Sequence, residues 1–388
     1  MADEAFNPFV YSVPVTPDDL IDRREEATLL RTLAEGGHNT RLSAPRRYGK
    51  TSLLGMVLRD AEAAGLNVAL VDLYGVVGVA DVVLRLREAY RTFRGPIARR
   101  ADRLVVDATL RAGLGPGQVE LELTTWRAAE QALVELLDLP KAAHERTGAR
   151  CLVAFDEFQD LAHAGDGLDG ILRSRIQHHG AVASYAFAGS HEGMLSMLFD
   201  RRERPLFGQA RKVALEPLAD ADVAAYVGAR FEDTGREVGR ALEYLLRAGQ
   251  GHPQRTMILA HHLWSATAPG ATAGESEWFA AQAAVFDELR EPFAAAWDGL
   301  AEDSDRRALT AVASGHKLFS ATALERYGLS RGSAARARDR LLAAGDLSER
   351  DGTVQCTDPL WAAWVAAGRR RPPVPELESD PSGPGTGP

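Results

Sequence analysis

The chain has 388 residues, of which 45 % are hydrophobic and 26 % charged, the balance of an ordinary globular protein with room for two or three compact domains. Acidic residues outnumber basic ones, 54 against 45, for a formal charge of -9; this excludes a protein that coats polyanions with its whole surface and leaves only a local basic patch for such a role. Two cysteines, Cys151 and Cys356, supply neither a disulfide framework nor a four-ligand zinc site, and an acidic N-terminus with no apolar run near the roughly 18 residues of a bilayer span leads us to expect a cytoplasmic chain with no membrane partner.

The opening stretch, Asn7-Pro8-Phe9 through Thr16-Pro17, is expected to be extended, because proline lacks an amide donor and restricts the residue before it. A first helix should follow, capped by Asp18 or Asp19, carrying Leu20, Ile21, Leu29, Leu30 and Leu33 and stopping at Gly36-Gly37. Thr40-Arg41-Leu42-Ser43 reads as a short strand, 50–64 as a helix, 67–73 as a second strand and 79–92 as another helix. That alternation implies a parallel sheet covered by helices. Gly113, Gly115, Pro116 and Gly117 break the rhythm, so 94–125 reads as an insertion or mobile surface segment ahead of a helix over 125–137. Two apolar runs, Cys151 to Phe155 and Ala183 to Ala188, look like central strands covered on both faces. Helical patterning resumes over 218–264 and 276–300, and 303–364 holds short helices and two strand-like pieces. The expected division is a core over 1–215, a helical domain over 216–300, a third domain over 301–367 and a disordered Pro/Gly/Ser-rich tail over 368–388.

Between the first strand and its helix lies Ser43-Ala44-Pro45-Arg46-Arg47-Tyr48-Gly49-Lys50-Thr51-Ser52, the place and pattern of a phosphate-binding loop. A loop wound around a phosphate turns its amides inward, the following helix adds its positive end, and a lysine neutralises charge on the β- and γ-phosphates. Ala44 through Ser52 are the candidates to bind the nucleotide: Lys50 for the charge, Gly49 for close backbone approach and Thr51 as a magnesium ligand. Ala44 stands where the pattern G-x-x-x-x-G-K-[ST] has its first glycine. The acidic pair at the end of the strand over 151–155 supplies the other half of such a site. Asp156 would hold Mg2+, and Glu157 would polarise the attacking water. Two adjacent carboxylates ending a buried strand are costly unless paired or bound to a cation. ATP and Mg2+ are therefore the expected cofactors.

Six motifs in order resemble the archaeal-type ATPases of the STAND group within the AAA-like P-loop superfamily, relatives of the origin-recognition initiators, from Asn7 to Trp364. They are Asn7-Pro8-Phe9 with Leu20 to Glu26, Ala44 to Ser52, Phe155-Asp156-Glu157-Phe158-Gln159, Ala188-Gly189-Ser190, Arg204 to Gly208 with Leu215-Glu216-Pro217-Leu218, and Gly251-His252-Pro253-Gln254. The resemblance implies an α/β P-loop NTPase core with a mainly parallel sheet, then a helical lid and a C-terminal winged helix. It also implies that Ser190 senses the γ-phosphate and belongs with Glu157 and Lys50 to the catalytic group, that Pro253 lies near the adenine, and that Arg255 reaches the phosphates from the lid. Gln209 departs from the arginine the family usually has after Gly208, which leaves Arg211 or another group to act on the transition state, or leaves turnover slow.

The C-terminal unit reads as helix, turn, helix and hairpin, with Ser330 as an N-cap and Asp351-Gly352 as the hairpin turn. Residues 330–344 carry Arg331, Arg336, Arg338 and Arg340 against Asp339 alone, a reversal of the chain's overall sign and a candidate double-stranded DNA contact. The competing reading is a solvated or protein-binding face. Trp361 and Trp364 are expected in the core, and the adjacent pairs His178-His179 and His261-His262 diverge too much to share a metal. Taken together, the residues predict an ATP-hydrolysing switch coupled to a winged helix. The alternatives are a DNA-binding regulator, or an adaptor for a protein partner or a second copy of the chain, that holds ATP with little hydrolysis.

Overall fold

The computed structural model of the chain describes residues 6–13, 20–93, 95–112, 118–350 and 352–373. It divides into two compact units: Pro14–Glu216, and Met1–Val13 with Pro217–Pro388.

In the sheet unit α1 (Arg24–Glu35) leads to β1 (Thr40–Ser43), α2 (Lys50–Ala63), β2 (Asn67–Asp72) and α3 (Val79–Tyr90). Three helices, α4 (Gly95–Ala112), α5 (Gln118–Leu137) and α6 (Leu139–Thr147), precede β3 (Cys151–Asp156). After α7 (Leu161–Ala164) and α8 (Leu168–Ile176) comes β4 (Ala183–Gly189), and α9 (Glu192–Asp200) leads to β5 (Arg211–Ala214). The strands form one parallel sheet in the order β2-β3-β4-β1-β5. Every strand therefore ends on the same edge, where ligands of open α/β sheets bind.

Alternation along the central strands sets the two faces. Leu152, Ala154, Ala186 and Ala188 face α1 and α2 with Leu42 and Ala44, and these mostly small side chains let α2 pack close to the sheet. Val153, Phe155, Tyr185 and Phe187 face the opposite core with α3, α5 and α6, where Phe155 and Phe187 stack at 5.6 Å and 8°.

Several expectations need correction. The first helix starts at Arg24, later than expected; Leu20 and Ile21 precede it, although Ile21 is still buried, and Asp18 and Asp19 lie outside the described residues. Most of 94–125 is helix, in α4 and α5, which pack on each other. Gly113, Gly115, Pro116 and Gly117 lie outside the described residues. Neither α6 nor β5 was legible, since β5 exposes Arg211, Lys212 and Ala214 and buries only Val213, so it lacks an apolar run.

The helical unit contains α10 (Asp220–Asp233), α11 (Ala241–Gly249), α12 (Pro253–Ala266), α13 (Glu275–Glu288) and α14 (Arg290–Asp298). It continues with α15 (Asp303–Ala313), α16 (Ala321–Arg326) and α17 (Arg331–Ala344), the antiparallel hairpin β6 (Leu347–Arg350) and β7 (Thr353–Cys356), and α18 (Pro359–Ala366). Ser330 caps α17 by accepting from the Ser333 amide at 3.0 Å. Arg350 pairs with Thr353 across the turn; Asp351 lies outside the described residues, as do 374–388 of the expected tail. Trp361 and Trp364 are core residues, 4 % and 6 % exposed.

Two of the sequence motifs are explained inside this unit. Asn7 donates to the His261 carbonyl and the Ser265 hydroxyl, both at 3.0 Å, while Phe9 is buried against Phe231. Phe9 is thus part of the helical unit's core, although the whole sheet unit follows it in sequence. Gly251, at φ +66°, accepts from the Leu218 amide at 2.8 Å, and a Cβ there would lie 2.3 Å from the Leu218 carbonyl oxygen. Only glycine lets the two segments pass so closely.

Candidate functional site

The C-terminal edge of the sheet brings together side chains from well-separated parts of the sequence. Parallel register places Ser43 beside Gly189 and Asp72 beside Asp156, so the loop after β1, the acidic pair after β3 and Ser190 after β4 emerge side by side. Ala44 and Pro45 are buried at the base of the loop, Arg46 and Arg47 are exposed on it, and Tyr48 is buried beneath it. Arg47 and Gly49 both take left-handed backbone, φ 65° and 81°, the geometry that turns successive amides to one side. Gly49 is the N-cap of α2 and provides no side-chain cap, leaving the helix's positive end to an anion.

Lys50 begins α2, is 5 % exposed, and donates from Nζ to the carbonyls of Ala44 and Pro45 at 2.9 and 2.8 Å. Burial pushes its ammonium down to about 8, against the opposing pull of Glu157, Asp156 and Glu192. A buried ammonium held by two neutral carbonyls gains strongly from an incoming anion. Thr51 donates its hydroxyl to Asp156 Oδ2 at 2.5 Å, so one hydroxyl and one carboxylate converge. Burial raises the Asp156 carboxyl, partly opposed by the Thr51 hydrogen bond. Two hard oxygen donors, one of them an anion that is costly to bury, are the kind of pair that would hold Mg2+. Ser52 is buried behind them in α2.

Glu157 has left-handed backbone, φ 47°, which turns it away from the strand direction. Its Oε2 accepts from the Ser190 hydroxyl at 2.7 Å, the Ser190 amide at 3.2 Å and Gln159 Nε2 at 2.7 Å. Burial alone would raise this carboxyl, but the hydrogen bonds from Gln159 and Ser190 and the charge of Lys50 outweigh it and hold the group below its ordinary value. Glu157 is therefore a carboxylate at neutral pH.

Three neighbours were given no role from the sequence, Gln159 having been quoted only as part of the acidic motif. Gln159 holds Glu157 directly, Glu192 lies in the field of Lys50, and His191, pushed down by burial and by Arg46, interacts with Glu157 and Lys50. The signal for the last two was a helix start immediately after Ser190.

The remaining candidates belong to the helical unit. Pro253 opens α12 behind the N-cap His252. Arg255, expected to reach phosphates, is 3 % exposed and paired with Asp358 through Nε at 2.9 Å. That carboxylate also caps α18 through the amides of Leu360 and Trp361. In this structure Arg255 forms an ion pair that joins the starts of α12 and α18. On α17, Arg331 and Arg336 are exposed. Arg338 pairs with Asp339 at 2.8 Å and lies over Phe319, and Arg340 pairs with the buried Asp305 at 2.6 Å. The Arg340 guanidinium thus neutralises a carboxylate of its own unit, which leaves Arg331 and Arg336 as the two arginines of this helix that are most exposed.

No family model matches the sequence, and no curated protein is significantly similar to it. Solved structures do match in fold. A Walker-type ATPase of Pyrococcus abyssi superposes with a TM-score of 0.68 at 18 % identity, over 92 % of this chain and 99 % of that one. The ORC2 protein of Aeropyrum pernix, solved as ADPNP-ADP complexes, gives 0.59 at 16 % identity over 93 % and 96 %. The ADP form of that protein gives 0.52 at 15 % identity over 92 % and 95 %. The chain thus has the fold of these P-loop ATPases along nearly its whole length. Among the described residues no helix is long and apolar enough to cross a membrane.

Proposed function

We propose that the chain is an ATP-hydrolysing switch of the STAND type, cytoplasmic, whose nucleotide state is reported by a C-terminal winged helix. The carrying observation is the convergence at one sheet edge of Lys50, the Thr51–Asp156 pair and the Glu157–Ser190 pair. The loop amides and Lys50 bind the β- and γ-phosphates, Thr51 and Asp156 hold Mg2+, and Glu157 takes a proton from the attacking water. The bound metal would supply charge neutralisation on the phosphates. Ser190, which donates to Glu157, exchanges that bond for a γ-phosphate oxygen when ATP is bound. Its release on hydrolysis is then the switching event. The ATPase folds reported above, one of them solved with ADPNP and ADP, support this reading.

In this reading the helices α15 to α17 and the hairpin β6–β7 are a winged helix that contacts double-stranded DNA through Arg331 and Arg336. A second reading, an adaptor for a protein partner or a second copy of the chain, is favoured by the internal pairing of Arg338 and Arg340. Steady-state ATP hydrolysis measured with and without duplex DNA separates them. Turnover stimulated by DNA supports the first; turnover indifferent to DNA supports the second. Absence of both nucleotide binding and turnover overturns both.

A further inference from the structure

Gln159 is 2 % exposed, yet its amide is only half satisfied. Nε2 donates to Glu157 Oε2 at 2.7 Å and to Asp160 Oδ1 at 3.1 Å, whereas Oε1 is buried without a hydrogen-bond partner. The opposite amide orientation would set Oε1 against two carboxylates, so the charges around it fix the one observed. A buried carbonyl left unpaired costs stability, and the return for that cost lies in what Nε2 holds.

Its other contacts make the amide a wedge. Asp160 is itself held, accepting at Oδ2 from the Gly75 amide at 2.9 Å. On the other side is Gly189, the last residue of β4, where a Cβ would stand 2.4 Å from Gln159 Oε1 and 3.4 Å from Leu195 Cδ1. The missing side chain of Gly189 is thus the space that Gln159 occupies. Glu157 Oε2 accepts from Gln159, the Ser190 amide and the Ser190 hydroxyl, and when that hydroxyl turns to the γ-phosphate the first two remain. A carboxylate with one oxygen so occupied keeps a fixed orientation and leaves Oε1 to accept a proton. Lys50, Asp156 and His191 are the charged or titratable groups that also act on Glu157.

We propose that Gln159, seated on Gly189 and anchored through Asp160, is the positioning residue for Glu157, fixing which carboxylate oxygen meets the attacking water. The proposal rests on the ATPase reading above. It concerns the rate of the chemical step and not nucleotide affinity, because Gln159 donates only to Glu157 and Asp160.

The test is a set of steady-state ATPase and nucleotide-binding measurements on the full chain and its Gln159→Met, Gln159→Ala, Gly189→Ala, Gln159→Ala/Gly189→Ala and Glu157→Gln variants. Gln159→Met keeps the length and removes the donor. It should lower kcat about tenfold or more with ATP affinity and KM unchanged. Gly189→Ala should do the same by displacing the amide, and should add nothing once Gln159 is alanine, since the clash partner is gone. The proposal is overturned if Gln159→Met keeps wild-type kcat, if KM moves in place of kcat, or if Gly189→Ala has its full effect beside Gln159→Ala. Should the alanine variants fail to fold, Gln159→Met decides by itself. Loss of turnover in Glu157→Gln but not in Gln159→Met rejects this proposal alone; wild-type turnover in Glu157→Gln removes Glu157 from its role and this proposal with it but leaves the chain an ATPase, whereas no turnover in the wild type rejects the ATPase reading and this proposal together.

Discussion

The polar groups at the edge of the sheet, after β1, β3 and β4, and the arginines of α17 are built differently. At the sheet edge the polar groups come from segments more than a hundred residues apart, Lys50 and Thr51 against Asp156, Glu157 and Ser190, and they converge through the parallel register. The lysine there rests on neutral carbonyls, which an anion can replace. On α17 the arginines come from one stretch of helix, and two of the four are neutralised by Asp305 and Asp339 of the same unit. A cluster assembled from distant segments needs the fold to explain it. A cluster within one helix can arise from composition alone, and its partners decide how much of its charge is available.

If that contrast is right, breaking the sheet edge has the larger consequences. Glu157→Gln should bind ATP with unchanged affinity and lower kcat by about 100- to 1,000-fold; single-turnover hydrolysis beside equilibrium binding checks this, and a variant that turns over normally removes Glu157 from its role. In the helical unit the largest effect should come from Asp358→Ala, which leaves Arg255 buried without its partner. The expected loss is about 3–5 kcal/mol in urea unfolding, because an unpaired buried charge costs far more than the pair contributes. The paired carboxyl lies below its ordinary value, burial being outweighed by Arg255. Its contribution is therefore present at neutral pH and lost as pH falls below about 4.

Smaller effects sharpen the comparison on α17. Replacing Arg331 and Arg336 together by alanine should weaken duplex DNA binding about tenfold and flatten its salt dependence by about two phosphate contacts, whereas Arg340→Ala should leave the salt slope unchanged. Fluorescence anisotropy over a salt series reads both. Equal slopes for all three proteins would favour the adaptor. Asp346, just after α17, gives the smallest expected effect. Burial, and then Asp305, raise its carboxyl to about 6, above the roughly 4 of an unfolded chain. The folded state holds this proton more tightly, so the associated stability is present below about pH 4 and lost as pH rises through about 6. Asp346→Asn should therefore stabilise the protein at pH 8, on the order of 1 kcal/mol after allowance for partial exposure, and make little difference at pH 4; thermal melts at the two pH values check the sign.

Much of this was legible in the sequence because it depended on short-range rules. The apolar runs that became β3 and β4, the loop pattern over 43–52, and the Asp156-Glu157 pair each announce themselves within ten residues. What was not legible depended on partners far away in the chain. The partner of Arg255 was not legible because Asp358 lies 103 residues on, nor was that of Arg340, because Asp305 lies 35 residues back. The helical content of 94–125 was not legible because the glycines and proline at 113–117 outweighed the helical patterning on either side. Gln159 was visible within the acidic box, but its meaning depends on Gly189 having no side chain, a relation that only the β3–β4 register creates.

The claim on which the account turns is that the loop over 44–52 binds a nucleotide through Lys50. Calorimetric titration of ATP with magnesium into the wild type and into Lys50→Ala tests it most directly. The account predicts one site in the wild type and affinity reduced at least about 100-fold in the variant, roughly 3 kcal/mol, since a buried ammonium on two phosphates is lost. Equal affinity in the two proteins would contradict it.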